Sequence, residues 1–247
     1  NWRRVLGFRL FTRIPFGGSA QAPRLSLTTR LVTITSMTLL VGGVILLYAF
    51  ERGSPHHPTS EWNRWANAWF HSVTLRTAGF NTLDHENLHP GTKLLSIGLM
   101  FVGASPGSTG GGVKTICLAL MVLTLRSVLR GRPAVETWGR TIPEELVFRG
   151  LAIITLALAT LLVSSLLLVM IEDRPDRLID QLYEAASAFG TVGVSANLTP
   201  TLKPASHVVL IVTMFLGRVG PLTLIVALSA FTRPRGFAYP EERIALG

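Results

Sequence analysis

Apolar residues in this chain come in long runs separated by short polar stretches. Residues 31–50, LVTITSMTLLVGGVILLYAF, carry no charge and are just long enough to cross a bilayer at helical rise. Residues 146–171, with the core LAIITLALATLLVSSLLLVMI, are the clearest spanning helix. Two further runs, 94–125 and 206–231, are interrupted. The first is broken by 103–114, GASPGSTGGGVK, and the second by Gly217-Arg218-Val219-Gly220-Pro221. Glycine and proline both disfavour a lipid-facing helix, so each run is predicted to be a broken spanning helix with irregular backbone at mid-membrane. Between each spanning run and its broken partner lies an amphipathic segment, 62–75 and 177–189, too short and too polar to span. Such a segment reads as a re-entrant half-helix, tolerated at membrane depth only where protein buries it or it lines water.

The pattern is written twice. Thr77-Ala78-Gly79-Phe80 follows the first half-helix and Thr191-Val192-Gly193-Val194 the second. One shift also lays Trp62 on Asp176, Trp69 on Tyr183 and Gly103 on Gly217, the mark of an internal repeat. A Thr-x-Gly turn lets a residue without Cβ take dihedrals that point successive carbonyls one way, and such carbonyls can replace the water around an alkali cation. The expected fold is an all-α membrane protein of tandem helix–pore-loop–broken-helix repeats. It divides into a basic interfacial segment (1–26), a first repeat (27–125), a cytoplasmic connection (126–145), a second repeat (146–231) and a cytoplasmic tail (232–247).

Composition agrees with that class, since 48% of residues are hydrophobic and 15% charged. A net charge of +9 could indicate nucleic acid, but its distribution argues otherwise. Arginines gather at 3, 4, 9, 13, 24 and 30, at 126, 130, 132, 140 and 149, and at 233, 235 and 243. Glu51, Glu61, Asp84, Glu86, Glu172, Asp173, Asp176 and Asp180 fill the intervening loops. Cationic loops alternating with acidic ones follow the positive-inside rule and predict a multi-pass protein of the cytoplasmic membrane. The chain opens at Asn1 without signal-peptide features, and we expect it to be part of a longer one.

Other chemistries fit poorly. A glycine run ending in Lys114-Thr115 evokes a phosphate-cradling loop, but Val113 stands where that pattern needs glycine and no strand precedes it. Adjacent His56 and His57 lack a third ligand. Cys117 is the only cysteine, which excludes a disulfide framework. An intramembrane hydrolase or transferase would need a base beside Ser105 or Ser108, and no His or Asp is near them in sequence. No covalent or redox cofactor is expected.

Four segments, SVTLRTAGFNT at 72–82, FVGASPGSTGGGVKT at 101–115, SAFGTVGVSANLTP at 187–200 and MFLGRVGPLTL at 214–224, resemble the Trk/Ktr/HKT superfamily of potassium transporters. The likeness is greatest to the third and fourth repeats of bacterial Ktr and Trk ion-translocating subunits. It implies a potassium-channel-like fold with four repeats around one pore, so two further repeats are expected, from a missing N-terminal half or a second copy. It also implies gated potassium uptake, a homodimer of the full transporter and a cytosolic nucleotide-binding regulatory ring docked on 126–145 and 232–247. The alternatives are a sodium-coupled or poorly selective cation transporter and, more distantly, the intramembrane enzyme.

On this resemblance Thr77, Ala78, Gly79, Phe80, Thr191, Val192, Gly193 and Val194 hold potassium through their backbone carbonyls. Glycine at 79 and 193 goes with potassium preference, where serine would admit sodium. Gly103, Ser105, Pro106, Gly107, Ser108, Thr109, Gly110, Gly111, Gly112 and Lys114 form an intramembrane gate beneath the filter, and Arg218 faces the same cavity. There Arg218 can bond the loop's carbonyls or repel cations, with pairing to Glu184 or to helix C-terminal carbonyls as the alternative. Arg76 is expected to anchor the filter to Glu184 or a neighbouring pore helix.

Overall fold

The computed structural model describes residues 26–53, 60–132 and 134–220. His56 and His57, the 1–25 segment, Pro221 and the 232–247 tail lie outside the described residues. Seven α-helices carry the described chain: α1 (Leu27–Glu51), α2 (Glu61–Thr74), α3 (Pro90–Phe101), α4 (Thr115–Leu129), α5 (Glu144–Glu172), α6 (Leu178–Gly190) and α7 (Pro204–Val219). Helices α1 and α5 are long and apolar enough to cross a membrane. At helical rise α1 spans about 37 Å, whereas the half-helices α2 and α6 reach only about 20 Å.

Local signals set the ends. Ser26 caps α1 by accepting from the Thr29 amide at 3.1 Å. Glu144 and Glu145 stand in the first turn of α5, where carboxylates complement the helix dipole. Helices α3 and α7 both begin on proline, the residue best suited to a helix's first position. Between α4 and α5 a short hairpin pairs β1 (Glu136–Thr137) with β2 (Arg140–Thr141). Its turn, Trp138-Gly139, has φ of 46° and 69°, the left-handed geometry of a two-residue hairpin loop. This is the only strand pairing of any length among the described residues, set in the basic connection.

The two repeats pack through α6. That helix touches α3, α5 and α7, and 183–190 is buried without a break. Ala185, Ala186 and Ala188 keep its girth small, which lets its neighbours approach closely. Tyr183, Phe189, Leu75, Met100, Leu168 and Leu198 are the large side chains of the core. Phe189 stacks on Phe101 with ring centres 5.8 Å apart. Helix α2 packs mainly on α1 and leaves Trp62, Trp65, Trp69 and Phe70 exposed.

Polar contacts echo the repeat. The Glu51 carboxylate at the end of α1 accepts from the His89 amide at 3.0 Å, ahead of α3. Glu172 at the end of α5 accepts from the Lys203 amide at 2.8 Å, ahead of α7. Each carboxylate therefore fills an orphan donor at the start of the helix that follows a Thr-x-Gly turn.

The last interruption falls late in its expected window, 217–221. Helix α7 runs through Gly217 and Arg218 to Val219, and the chain leaves helical geometry only at Gly220, with φ of 81°. One glycine costs a helix only about 1 kcal/mol, far less than the thirteen residues, 102–114, that separate α3 from α4. Gly217 serves packing: a Cβ there would collide with the Phe189 carbonyl at the end of α6. Gly217→Ala is expected to lower stability by about 1–3 kcal/mol through overpacking, read as a lower thermal midpoint of the purified protein. An unchanged midpoint would show that α6 and α7 are not in contact there.

Candidate functional site

The half-helices aim their C-termini at the two Thr-x-Gly turns. Helix α2 ends at Thr74 and α6 at Gly190, and each turn follows within three residues. The partial negative charge at a helix C-terminus favours a nearby cation. In the first turn Thr77 and Gly79 have φ of 75° and 80°, with Ala78 between them at negative φ. In the second, Thr191 and Gly193 have φ of 53° and 95° around Val192. Alternating left- and right-handed residues turn successive peptide groups the same way.

The turns meet. An ideal Cβ built on Gly79 would strike the Val192 carbonyl oxygen and lie 3.6 Å from the Gly193 Cα. Thus 113 residues of sequence separation close to main-chain contact. Ala78, Phe80 and Gly193 are exposed, whereas Val192 and Val194 are buried.

Side chains behind the turns hold them. Thr74 Oγ1 accepts from the Phe80 amide at 2.8 Å and donates to the Phe80 carbonyl at 2.7 Å. Ser187 Oγ accepts from the Gly193 amide at 3.2 Å. Glu184 Oε1 accepts from the Ser195 hydroxyl at 2.5 Å and the Ala196 amide at 3.0 Å, and its Oε2 takes the Thr199 hydroxyl at 2.9 Å. Glu184 thus clamps the outer end of the second turn. Arg76 does not reach it: the guanidinium donates to Ser36 O on α1 at 3.1 Å and to Gly103 O at 3.4 Å. The anchor expected to run to a pore helix runs instead to α1 and the glycine-rich loop.

That loop lies directly against both turns. Val102 and Val113 pair at its neck, with the Val113 amide donating to Phe101 O at 3.0 Å. Its far limb carries the contacts: the Gly111 amide donates to Thr191 Oγ1 at 2.9 Å, and a Cβ on Gly110 would fall 2.7 Å from Thr77 Oγ1. Lys114 Nζ donates to Gly110 O at 2.5 Å. Pro106, Gly107, Ser108 and Thr109 are exposed, with Ser105 partly covered, while Gly103, Gly111 and Gly112 are buried.

Arg218 lines an open cleft of about 770 Å³ together with Thr191, Gly193 and Glu184. It is close enough to Lys114 for the two charges to repel. Among the described residues it bonds neither the loop nor Glu184, whose oxygens are already taken.

A polar network at the acidic end joins the repeats. Lys93 on α3 pairs with Asp180 on α6 at 2.6 Å and donates to Glu86 O at 2.7 Å. Arg177 bridges Asp180 and Glu86, and Asn197 beyond the second turn donates to Glu86 Oε2 at 3.3 Å. Buried His85 bonds the Tyr183 hydroxyl through Nδ1 at 2.5 Å and packs on His71. No sequence signal marked the partners that join one repeat to the other, which lie about ninety residues apart or more.

Burial lowers His85 to about 4, with the Asp84 charge opposing that shift and Lys93 adding to it. An unfolded histidine titrates near 6.5, so between about pH 6.5 and 4 the unfolded chain takes a proton that the folded chain refuses. Stability from this burial is full above about 6.5 and is lost as pH falls towards 4. The thermal midpoint of the purified protein should drop over that window, and His85→Asn should flatten the drop. Superimposable pH profiles for the two proteins would remove His85 as the cause.

Among the described residues no group of three His, Cys, Asp or Glu side chains could hold a metal. Main-chain carbonyls and hydroxyls are the oxygens that the turns offer.

Comparison with known proteins matches residues 24–236 to the family described as TrkH, cation transport protein. The potassium/sodium uptake protein NtpJ of Enterococcus hirae is 32% identical over 251 residues, covering 100% of this chain and 53% of its own length. The Ktr system potassium uptake protein B of Vibrio alginolyticus is 35% identical over 225 residues, covering 90% of this chain and 49% of its own. The chain spans about half the length of the curated relatives it matches. The crystal structure of the potassium transporter TrkH from Vibrio parahaemolyticus superposes with a TM-score of 0.63 at 22% identity, over 81% of this chain and 44% of the other. That likeness speaks for the fold.

Proposed function

This chain belongs to the TrkH family of cation transport proteins, and from that premise we propose that it supplies two carbonyl-lined turns of a gated potassium-uptake pathway. The observation that carries the proposal is the junction of Gly79 with Val192, with Gly110 and Gly111 lying beneath Thr77 and Thr191. A potassium ion entering from the acidic end would shed water at the turns and be held by the carbonyls of 77–80 and 191–194. The α2 and α6 C-termini add a favourable potential without fixing the ion in place. Flow follows the electrochemical gradient, and no bond is made or broken.

In this proposal the loop 103–114 is the gate. It has no helical hydrogen bonds and few packed side chains, so its displacement costs little. Arg218 and Lys114 place positive charge below the turns, where it would slow cations until the loop moves. The Phe80 carbonyl already takes the Thr74 hydroxyl, which makes it the weakest ligand among the eight residues. A complete ring needs two further turns, contributed by sequence beyond these two repeats or by a second copy. A cytosolic nucleotide-binding ring belongs to the same proposal, as do the multi-pass cytoplasmic-membrane location and a dimeric transporter.

One observation favours a second reading: the relative that covers the whole chain is named a potassium/sodium uptake protein. Competition in vesicles separates the two. With the native polypeptide reconstituted, rubidium entry should be suppressed by potassium and spared by equal sodium. Equal suppression would establish the poorly selective alternative, and no cation entry would remove the transport proposal.

A further inference from the structure

A second concavity, about 620 Å³ in volume, lies at the basic end between the start of α1, the end of α4 and the β1–β2 hairpin. Leu31, Ile34 and Leu39 of α1 and Leu118, Val122 and Leu123 of α4 form its walls. Its rim carries Arg126, Arg130 and Arg132, with Trp138 from the hairpin turn. Val122 and Arg126 lie one turn apart on α4, and Arg130, its C-terminal cap, follows at the same interval to extend that stripe. A molecule lying along that stripe meets hydrocarbon for about 12 Å from Leu118 and then two guanidinium groups.

The charges at the rim are not all satisfied. Arg132 pairs with Glu136 at 3.6 Å, but among the described residues no carboxylate bridges to Arg126 or Arg130. Apolar walls that end in unpaired guanidinium groups match an amphiphile with a hydrocarbon tail and a negative phosphate. A free anion would gain nothing from the walls, and an apolar protein surface would strip water from two cations without replacing it. Trp138, half exposed, stands where an aromatic side chain favours the bilayer interface.

We propose that the α1–α4–hairpin groove binds one anionic phospholipid of the inner leaflet, its acyl chain against Ile34 and Val122 and its phosphate on Arg126 and Arg130. This rests on the chain's membrane location and not on the permeation role of the turns, so either can fail alone.

The test is native mass spectrometry of the purified protein in detergent, with phosphatidylglycerol or phosphatidylcholine of identical chains as the probe. Phosphatidylglycerol should be retained in preference, and R126Q/R130Q should lower its retention about tenfold. R126K/R130K should keep most of it. R140Q/R149Q, which removes the same charge outside the groove, should leave it unchanged. Val122→Trp should reduce retention with the rim intact. Equal retention of both lipids, or equal loss in the two glutamine pairs, would overturn the proposal in favour of a diffuse surface field. Glycerol phosphate displacing the lipid at equal concentration would overturn it in favour of a free-anion site, and a copurifying polypeptide that blocks the lipid would overturn it in favour of a protein dock.

Discussion

Replacing Gly79 by serine is expected to lower the preference for potassium over sodium by about tenfold or more, roughly 1.4 kcal/mol between the two ions. The residue sits at φ of 80°, which a side chain disfavours, and its Cβ would be driven into the Val192 carbonyl oxygen. Relief must come from rotating that carbonyl or parting the turns, and either change alters the spacing that would replace an ion's hydration shell. Gly193→Ser makes an informative control. Its Cβ would meet only the Gly79 Cα, at 3.9 Å, so the backbone is strained but no carbonyl is struck. The milder loss should follow there. Rubidium uptake competed by potassium and sodium, in cells lacking other potassium uptake and expressing the native polypeptide, reads both variants. Unchanged selectivity in Gly79→Ser, or a larger loss in Gly193→Ser, would count against the filter assignment.

Deleting residues 106–112 should raise flux at least tenfold. The neck of the loop is already closed by the Val102–Val113 pairing, so the excision leaves ends that can join. It removes the Gly111 amide bond to Thr191 and the Lys114 bond to Gly110 O. At about 1 kcal/mol, the bond to Thr191 holds the loop against the turns by about fivefold, the Lys114 bond keeps the far limb in shape, and the rest of the gain comes from removing the backbone beneath the turns. Thr191→Val, which removes one contact and keeps every carbonyl, should raise flux about fivefold. A deletion that conducts less than the parent would make the loop a support for the turns instead of an obstruction.

Much of the arrangement was legible because the repeat preserves spacing. Pro90 and Pro204, Thr77 and Thr191, Gly79 and Gly193 all stand 114 residues apart, so one offset locates the half-helices, the turns and the helices after them. Where the repeat changes length, that offset misleads. The two capping carboxylates, Glu51 and Glu172, are 121 residues apart although the amides they cap keep the spacing, because Glu51 stands 38 residues before its amide and Glu172 only 31 before its own. Gly217 aligns with Gly103, yet one lies inside a helix and the other opens a loop. The composition around it decides: a single glycine in an apolar helix can be offset by packing on Phe189, whereas GASPGSTGGG cannot remain helical.

The second layer was hidden for another reason. Lys93 and Asp180, or His85 and Tyr183, signal nothing at 87 and 98 residues' separation, and only the packing of α3 on α6 brings them together. Arg76 and Glu184 were visible as candidates for holding the turns, but a linear chain does not say with whom each would bond. Glu184 proves to hold the chain just after the second turn, and Arg76 the loop.

The junction of Gly79 with Val192 is a seam of main chain against main chain, closed by atoms that every amino acid shares. Substituting the residues that line it can only damage the shape. Ion preference would therefore be tuned from the rear, by Thr74, Ser187 and Glu184, whose side chains set the tilt of peptides they never replace. A designer seeking a different cargo should leave the glycines alone and rewrite the scaffold that presses on them.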